Sequence, residues 1–302
     1  MTSPGSDRRL LAVSVVFVLC AVGCTSTLGS SHGHVRRGIV VASFNFPESV
    51  LLADIYARAL RAGGYRVSVV RDAGPREIVD PALARGIVDL VPEYSGSALL
   101  FFDLGAAHPA ATLARVLAPS GLVPLAPAPA QDANTFVVTK KTARTYGLRR
   151  VSDLAPVAVR LVFGGPAECP DRYECLKGLR SIYGLRFKEF FPLDTGGPLT
   201  RQALLAGEID VGLLFTTDPA IRTDHLVQLI DDRRLQPSEN VVPVLRQTIV
   251  SRYGPNLKNL IDRVSARLGT RTLRALDARV ALGEAPHRVA SAWLASQQFI
   301  RS

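Results

Sequence analysis

The strongest constraint on the fold is a regular alternation of short apolar strands with helices. Strands rich in β-branched residues are predicted at 38–43, 65–70 and 87–91. The segments between them carry Pro and Gly residues where helices would begin and end. This order predicts a parallel sheet with right-handed crossovers, because such crossovers place the helices on the faces of the sheet.

The same alternation begins again in the second half of the chain, with strands predicted at 157–163, 187–191 and 209–215. A chain of 302 residues has the length at which one hydrophobic core usually becomes two. We therefore predict an α/β protein with two lobes. The predicted lobes are 38–133 plus 241–302, and 134–240.

Two further apolar strands, 134–139 and 240–245, are predicted to connect the lobes. Two connections of this kind form a hinge, and a cleft between hinged lobes is a common place for a small ligand.

Residues 1–23 are predicted to be a lipoprotein signal peptide. Two arginines precede an apolar run, 10–20, that is too short to span a bilayer as a stable anchor, and small residues then lead to Cys24. Cys24 would carry the lipid, and 24–37 would tether the protein to the extracytoplasmic face of the cell membrane. An ordinary signal peptide cut nearby, or a buried apolar helix, is the alternative.

The net charge bears on whether the protein binds nucleic acid, and the cysteines bear on whether it contains a disulfide. The net charge is +10, but the arginines are scattered and no basic run is interleaved with aromatic residues, so nucleic acid is not predicted as a partner. Cys169 and Cys175 lie six positions apart in a chain predicted to be exported, which favours a disulfide over a free buried pair.

The sequence does not favour catalysis. The five histidines are scattered. The sequence contains no HExxH or GxxxxGK motif, and no GxSxG elbow between a predicted strand and a helix. We therefore predict a protein that is not an enzyme and that needs no metal and no cofactor.

Polar and aromatic side chains instead collect where predicted strands end, which is where ligands bind on open α/β sheets. They predict a cleft with aromatic rings on both walls and one cation. The candidate ligand-binding residues are Asn45, Phe46, Tyr94, Ser97, Asn134, Phe136, Arg172, Phe215, Thr216 and Asp218.

An ordered set of motifs resembles the quaternary-amine binding proteins of ABC importers, which take up glycine betaine, choline and proline betaine. The motifs are Ser-Phe-Asn-Phe-Pro-Glu at 43–48, Val-Pro-Glu-Tyr-Ser-Gly-Ser at 91–97, Glu-Cys-Pro-Asp-Arg-Tyr-Glu-Cys-Leu-Lys-Gly-Leu at 168–179, Leu-Asp-Thr-Gly-Gly-Pro at 193–198 and Leu-Phe-Thr-Thr-Asp at 214–218. The resemblance implies a two-lobed periplasmic-binding-protein fold of type II, working as a monomer with a membrane permease and its ATPase.

The resemblance also implies roles for single residues. Tyr94 and Ser97 match a cage tyrosine and a hydroxyl, Asn134 and Phe136 match a polar-x-tyrosine pair, and Arg172 matches an arginine that holds a carboxylate.

Two features depart from the family pattern. Phe136 and Phe215 stand where the cage often has tyrosine, and no aromatic residue lies around 239–240, where another is expected. A larger polar or aromatic solute, or an exported enzyme that reuses the fold, therefore stays open as an alternative.

Overall fold

The computed structural model describes residues 38–103 and 112–301. The predicted signal peptide, Cys24 and the tether lie outside the described residues. The described strands are β1 (Ile39–Ala42), β2 (Val67–Val70), β3 (Leu90–Tyr94), β4 (Leu122–Pro124), β5 (Asn134–Val138), β6 (Val162–Pro166), β7 (Glu189–Leu193), β8 (Val211–Phe215), β9 (Val227–Gln228) and β10 (Val241–Arg246). The described α-helices are α1 (Pro47–Ala62), α2 (Arg76–Ala84), α3 (Ser95–Phe102), α4 (Leu113–Leu117), α5 (Lys140–Tyr146), α6 (Leu176–Tyr183), α7 (Pro198–Ala206), α8 (Ala220–Thr223), α9 (Gln247–Ser265), α10 (Thr270–Ala281) and α11 (Pro286–Ser296).

The strands form two sheets with the same pattern of parallel and antiparallel neighbours. The first has the order β2-β1-β3-β10-β4, with β1 parallel to β2 and β3, and β10 antiparallel to both of its neighbours. The second has the order β7-β6-β8-β5-β9, with β6 parallel to β7 and β8, and β5 antiparallel to both of its neighbours. The predicted α/β architecture with two sheets is therefore confirmed.

Each sheet has its own hydrophobic core. The three last helices contribute apolar residues to the first core, and the Tyr56 hydroxyl of α1 lies 2.9 Å from the Ser265 hydroxyl of α9 in a fully buried contact. The second core contains Phe136, Phe163 and the disulfide between Cys169 and Cys175, whose Cα atoms are 5.3 Å apart. The predicted disulfide is thus present.

The chain crosses between the sheets at two adjacent places. The Asp132 N–H donates to the Glu239 carbonyl at 3.0 Å, and the Val241 N–H donates to the Ala130 carbonyl at 3.0 Å. The two predicted connecting strands lie within one sheet each, as β5 and β10, so the crossings come directly before them. The paired crossings bring Asp132 and Glu239 to the boundary between the sheets.

Among residues 38–103 and 112–301, no helix combines the length and the hydropathy needed to span a bilayer. The same residues include no cluster of three or more His, Cys, Asp or Glu side chains placed to hold a metal ion.

Candidate functional site

A small cavity lies between the two sheets, next to the crossings. Its volume is about 40 Å³, room for only a few water molecules. It is lined by Phe46, Arg76, Tyr94, Ser97, Asp132, Asn134, Pro166, Arg172, Glu174, Cys175, Thr195, Leu213, Phe215 and Glu239. Six of the ten candidate residues therefore meet at one cavity. They are Phe46, Tyr94, Ser97, Asn134, Arg172 and Phe215.

Aromatic rings from both sheets meet beside this cavity. Phe46 precedes α1, and its ring centroid lies 4.9 Å from that of Phe215, at the end of β8. The Tyr94 ring, at the end of β3, lies 6.0 Å from Phe46. Gly196 makes this arrangement possible, because a Cβ at that position would lie 2.6 Å from the Phe215 ring. The predicted placement of rings on both walls is therefore present.

The Tyr94 hydroxyl is engaged in a buried network that joins the two sheets. It donates to Glu48 Oε1 at 2.5 Å, and the Thr217 hydroxyl donates to Glu48 Oε2 at 2.8 Å. Burial, and then the negative charge of Asp277, raise the pKa of Glu48 well above its ordinary value. Burial and the Glu48 charge likewise raise the pKa of the Tyr94 hydroxyl. Tyr94 therefore offers the cavity its ring, while its hydroxyl stabilises the lobe boundary.

Glu239 occupies the place where the family resemblance leads us to expect an aromatic residue. Its carboxylate sits on the N-terminus of α3, where it accepts from the Gly96 N–H at 2.9 Å, the Ser97 N–H at 3.1 Å and the Ser97 hydroxyl at 2.5 Å. Gly96 permits this approach, because a Cβ there would lie 2.5 Å from Pro237. Burial raises the pKa of Glu239 to about 7, against the opposing effect of these hydrogen bonds and of Arg76.

Asp132 is a second carboxylate that the crossings bring to the cavity. Its Oδ1 accepts from the Thr216 hydroxyl at 3.0 Å and from the Thr217 N–H at 2.8 Å. Its Oδ2 is buried and has no hydrogen-bond partner. Burial and the Glu48 charge raise the pKa of Asp132 well above its ordinary value. One buried acceptor atom of this cavity-lining residue is therefore unsatisfied.

Both arginines at the cavity are already paired. Arg172 donates to Glu77 through two nitrogens, at 3.0 and 2.7 Å, and this ion pair joins the second lobe to α2 of the first. Arg76 donates to Glu93 in the same two-point manner, at 3.0 Å for each bond. Each guanidinium is thus already neutralised by a glutamate.

Four of the candidate residues lie away from this cavity. Asn45 is exposed, Thr216 is bound to Asp132, and the Asp218 carboxylate accepts from the Ala220 N–H at 2.7 Å. Phe136 is only 1% exposed and packs against Phe163 in the second core, with 5.9 Å between the ring centroids. The expectation that Phe136 forms part of the wall with Tyr94 is therefore corrected. Phe136 shares a face of β5 with Asn134, but it lies two residues further into the sheet, where the second hydrophobic core covers it.

A second, larger cavity of about 420 Å³ lies on the other side of Phe46 and Phe215. Glu48, Asp218 and Asp277 lie along it, with Arg201 and Arg222. We favour the smaller cavity as the candidate site, because most of the strand-end residues meet there and both crossings border it.

Sequence reasoning missed several groups that line the smaller cavity. These are Arg76, Asp132, Glu174, Thr195 and Glu239, with Pro166, Cys175 and Leu213. The only feature of the sequence that drew attention to Glu239 was the absence of an aromatic residue around 239–240. That absence indicates an incomplete aromatic cage, but it does not indicate that a carboxylate lines the cavity. Asp132 and Glu239 are loop acids in sequence, and only the pairing of the crossings brings them to the cavity.

Comparison with known proteins shows that the chain is similar to a family of transport proteins. Residues 37–296 match the family model described as the substrate binding domain of ABC-type glycine betaine transport systems. A glycine-betaine-binding protein of Pseudomonas aeruginosa is 29% identical over 266 residues, which cover 82% of this chain and 84% of that protein. A carnitine transport binding protein of Listeria monocytogenes is 27% identical over 260 residues, which cover 82% of each chain.

The fold matches that of a solved structure as well. The crystal structure of a glycine betaine/carnitine/choline ABC transporter protein aligns with a TM-score of 0.64 at 23% identity, over 86% of this chain and 99% of that one. This likeness confirms the predicted two-lobed periplasmic-binding-protein fold.

Proposed function

Because the chain belongs to the family of substrate-binding domains of ABC-type glycine betaine transport systems, we propose that it binds a small quaternary amine in the 40 Å³ cavity. It is an extracytoplasmic solute receptor that delivers its ligand to a membrane permease. The observation that carries the proposal is the meeting of Phe46, Tyr94 and Phe215, from both lobes, at one buried cavity.

Aromatic rings suit such a ligand. A ring face attracts an onium cation by about 0.5–2 kcal/mol, with the larger values in dry sites. A trimethylammonium group cannot donate hydrogen bonds, so contacts with several rings are its main source of affinity. Phe46 and Phe215 supply ring faces without a hydroxyl that would need a partner.

Binding requires the lobes to move apart. The cavity of about 40 Å³ has room for only a few water molecules, and the Arg172–Glu77 and Thr217–Glu48 contacts hold the lobes together around it. We infer that the lobes open at the paired crossings, 130–133 and 239–241, and close again over the ligand. We propose that the boundaries between the lobes lie at 133/134 and 240/241.

The remaining parts of the proposal concern the cell. Cys24 carries a lipid that holds the receptor at the membrane, residues 1–23 are removed as a signal peptide, and the receptor acts as a monomer beside its permease and ATPase. Replacing Cys24 by Ser should release the protein from the membrane and leave ligand affinity unchanged. Membrane retention of that variant would refute the anchor.

Calorimetric titration with choline, glycine betaine, carnitine and proline betaine tests the proposed binding. We expect at least one of these to bind, and we expect Phe46→Ala to weaken that binding by about 1–2 kcal/mol, because it removes a ring face. Leu282→Ala is the control, since Leu282 is 86% exposed and does not line the smaller cavity. A folded protein that binds none of the four would refute the proposal.

A further inference from the structure

The side chains around the cavity include more acids than bases. Two arginines and three acids line it, and the acids are Asp132, Glu174 and Glu239. The two arginines are each held by a further glutamate, Glu93 or Glu77. The positive charges are thus balanced before any ligand enters. Burial raises the pKa of Asp132 and Glu239 while no ligand is present, and a cation beside these two acids would favour their ionised form.

The arginines are poorly placed to accept a ligand carboxylate. Each one already uses two nitrogens of its guanidinium in a two-point bond to a glutamate, which is the geometry that would otherwise grip a ligand carboxylate. Around Arg76, Asp80 and Glu174 add further negative charge to that of Glu93. A ligand carboxylate would have to displace a glutamate and would then lie beside the other acids.

Asp132 and Glu239, by contrast, form no ion pair of their own among the described residues, although the positive charge of Arg76 acts on Glu239. Asp132 is 3% exposed, and its Oδ2 has no hydrogen-bond partner. A buried acceptor without a partner is costly, so a ligand that donates a hydrogen bond to it gains affinity. Glu239 is 3% exposed and is held only by neutral donors, those of Gly96 and Ser97.

We propose that the cavity selects a small cation that has a hydrogen-bond donor and no carboxylate, with Asp132 and Glu239 as the residues that set this preference. This inference rests on the proposed function and narrows it. Choline is the simplest ligand with these features, because it combines a fixed positive charge with one hydroxyl. Glycine betaine has the same ammonium group but is a zwitterion with no donor.

A titration of the wild-type protein with three matched probes tests the inference. Choline has the charge and the donor, n-propyltrimethylammonium has the same size and charge with a methyl group in place of the hydroxyl, and glycine betaine has the carboxylate. We expect choline to bind at least tenfold more tightly than either of the others. Glycine betaine binding as tightly as choline would overturn the inference and leave the proposed function standing. Equal binding of choline and n-propyltrimethylammonium would overturn the role of the donor, and with it the inference. Binding of none of the three by the folded protein would count against the proposed function itself.

Charge-removing variants test the two residues. Asp132→Asn keeps an oxygen that can accept from Thr216 and Thr217, but it replaces the unpartnered Oδ2 by an uncharged donor. We expect this variant and Glu239→Gln each to weaken choline binding at least tenfold and to reduce the preference over glycine betaine. Glu284→Gln is the matched control, because Glu284 pairs with Arg279 at the surface and lies away from the cavity. If Asp132→Asn does not fold, Glu239→Gln and the wild-type comparison still decide the matter. An unchanged preference in the folded variants would overturn the assignment.

Discussion

At the scale of single residues, the ring and the hydroxyl of Tyr94 have separate roles. Tyr94→Phe keeps the ring and removes the donor to Glu48. We expect it to lower the free energy of unfolding by about 1–3 kcal/mol, because a buried acceptor loses a partner, and to change ligand affinity less than Tyr94→Ala does. Urea unfolding and calorimetric titration of the two variants measure these effects. Equal loss of affinity in both variants would mean that the hydroxyl, not the ring, contacts the ligand.

The buried carboxyls at the lobe boundary predict a dependence of stability on pH. Burial raises the pKa of Glu239 from 4.5 to about 7, and that of Asp277 from 3.8 to about 8. The folded state therefore holds more protons than the unfolded state between these values. The stability that protonation contributes is fully present below about pH 4 and is lost as the pH rises to about 8. We expect the free energy of unfolding in urea, without ligand, to fall between pH 5 and pH 8.

The variant Glu239→Gln measures how much of this pH dependence of stability comes from Glu239. The variant has no titrating group at 239, so its stability should fall less between pH 5 and pH 8 than that of the wild type. An identical fall in both proteins would show that Glu239 does not titrate in this range.

The sequence predicts the aromatic residues of the site better than the acidic ones. Phe46 follows β1 and Tyr94 ends β3, and the ends of parallel strands meet at one edge of a sheet, so the convergence of these two rings is predictable. Phe215 ends β8 of the second sheet, which the predicted cleft between the lobes brings against the first. Glu239 contacts Ser97 across 142 positions, through a crossing that no local pattern encodes. Its sequence context, a polar loop, is the same as that of a solvated charge.

At the scale of elements, the approach of α3 to the second crossing depends on Gly96. A Cβ on this residue would lie 2.5 Å from Pro237 and 2.8 Å from the Ser238 carbonyl oxygen. We expect Gly96→Ala to move the loop that carries Glu239, to lower stability by about 1–3 kcal/mol through overpacking, and to weaken ligand binding. Thermal unfolding and titration would measure both effects.

Gly269→Ala is the control for this prediction. Gly269 precedes α10 in an extended conformation, and a Cβ there has open space around it. We expect little change in stability and none in affinity. A Gly96→Ala variant that behaved like this control would show that the loop tolerates a side chain at 96.

Local sequence patterns predict the parallel strands of the first sheet but not the position of its antiparallel strand, β10. The β1, β2 and β3 segments follow from the βα alternation, since two crossover helices, α1 and α2, join these three strands. The position of β10 in the middle of the first sheet depends on pairing with β3 over about 150 positions, and its own residues indicate only an apolar strand. Three helices follow β10, and the break between the first two, from Ser265 to Thr270, is marked in the sequence by only one glycine.

At the scale of the whole molecule, the contacts between the lobes differ in kind. The Phe46–Phe215 contact and the Thr217–Glu48 bond are at the buried boundary, whereas Arg172 and Glu77 form an ion pair nearer the surface, with side chains 16% and 39% exposed. The sequence does not reveal which contacts close the lobes, because none of the pairs is local. The ion pair at the rim is the contact that can be removed with least disturbance of the two cores.

Glu77→Gln should therefore shift the lobes towards the open state. Partly exposed ion pairs contribute up to about 1 kcal/mol, and a change of 1.4 kcal/mol is tenfold in an equilibrium constant, so we expect the open fraction to rise several-fold. Small-angle scattering without ligand should show a larger radius of gyration than in the wild type, and saturating ligand should restore the compact form. Glu284→Gln removes a surface ion pair within one lobe and should leave the scattering unchanged. Identical scattering from Glu77→Gln and the wild type, with both folded, would mean that the buried boundary alone keeps the lobes closed.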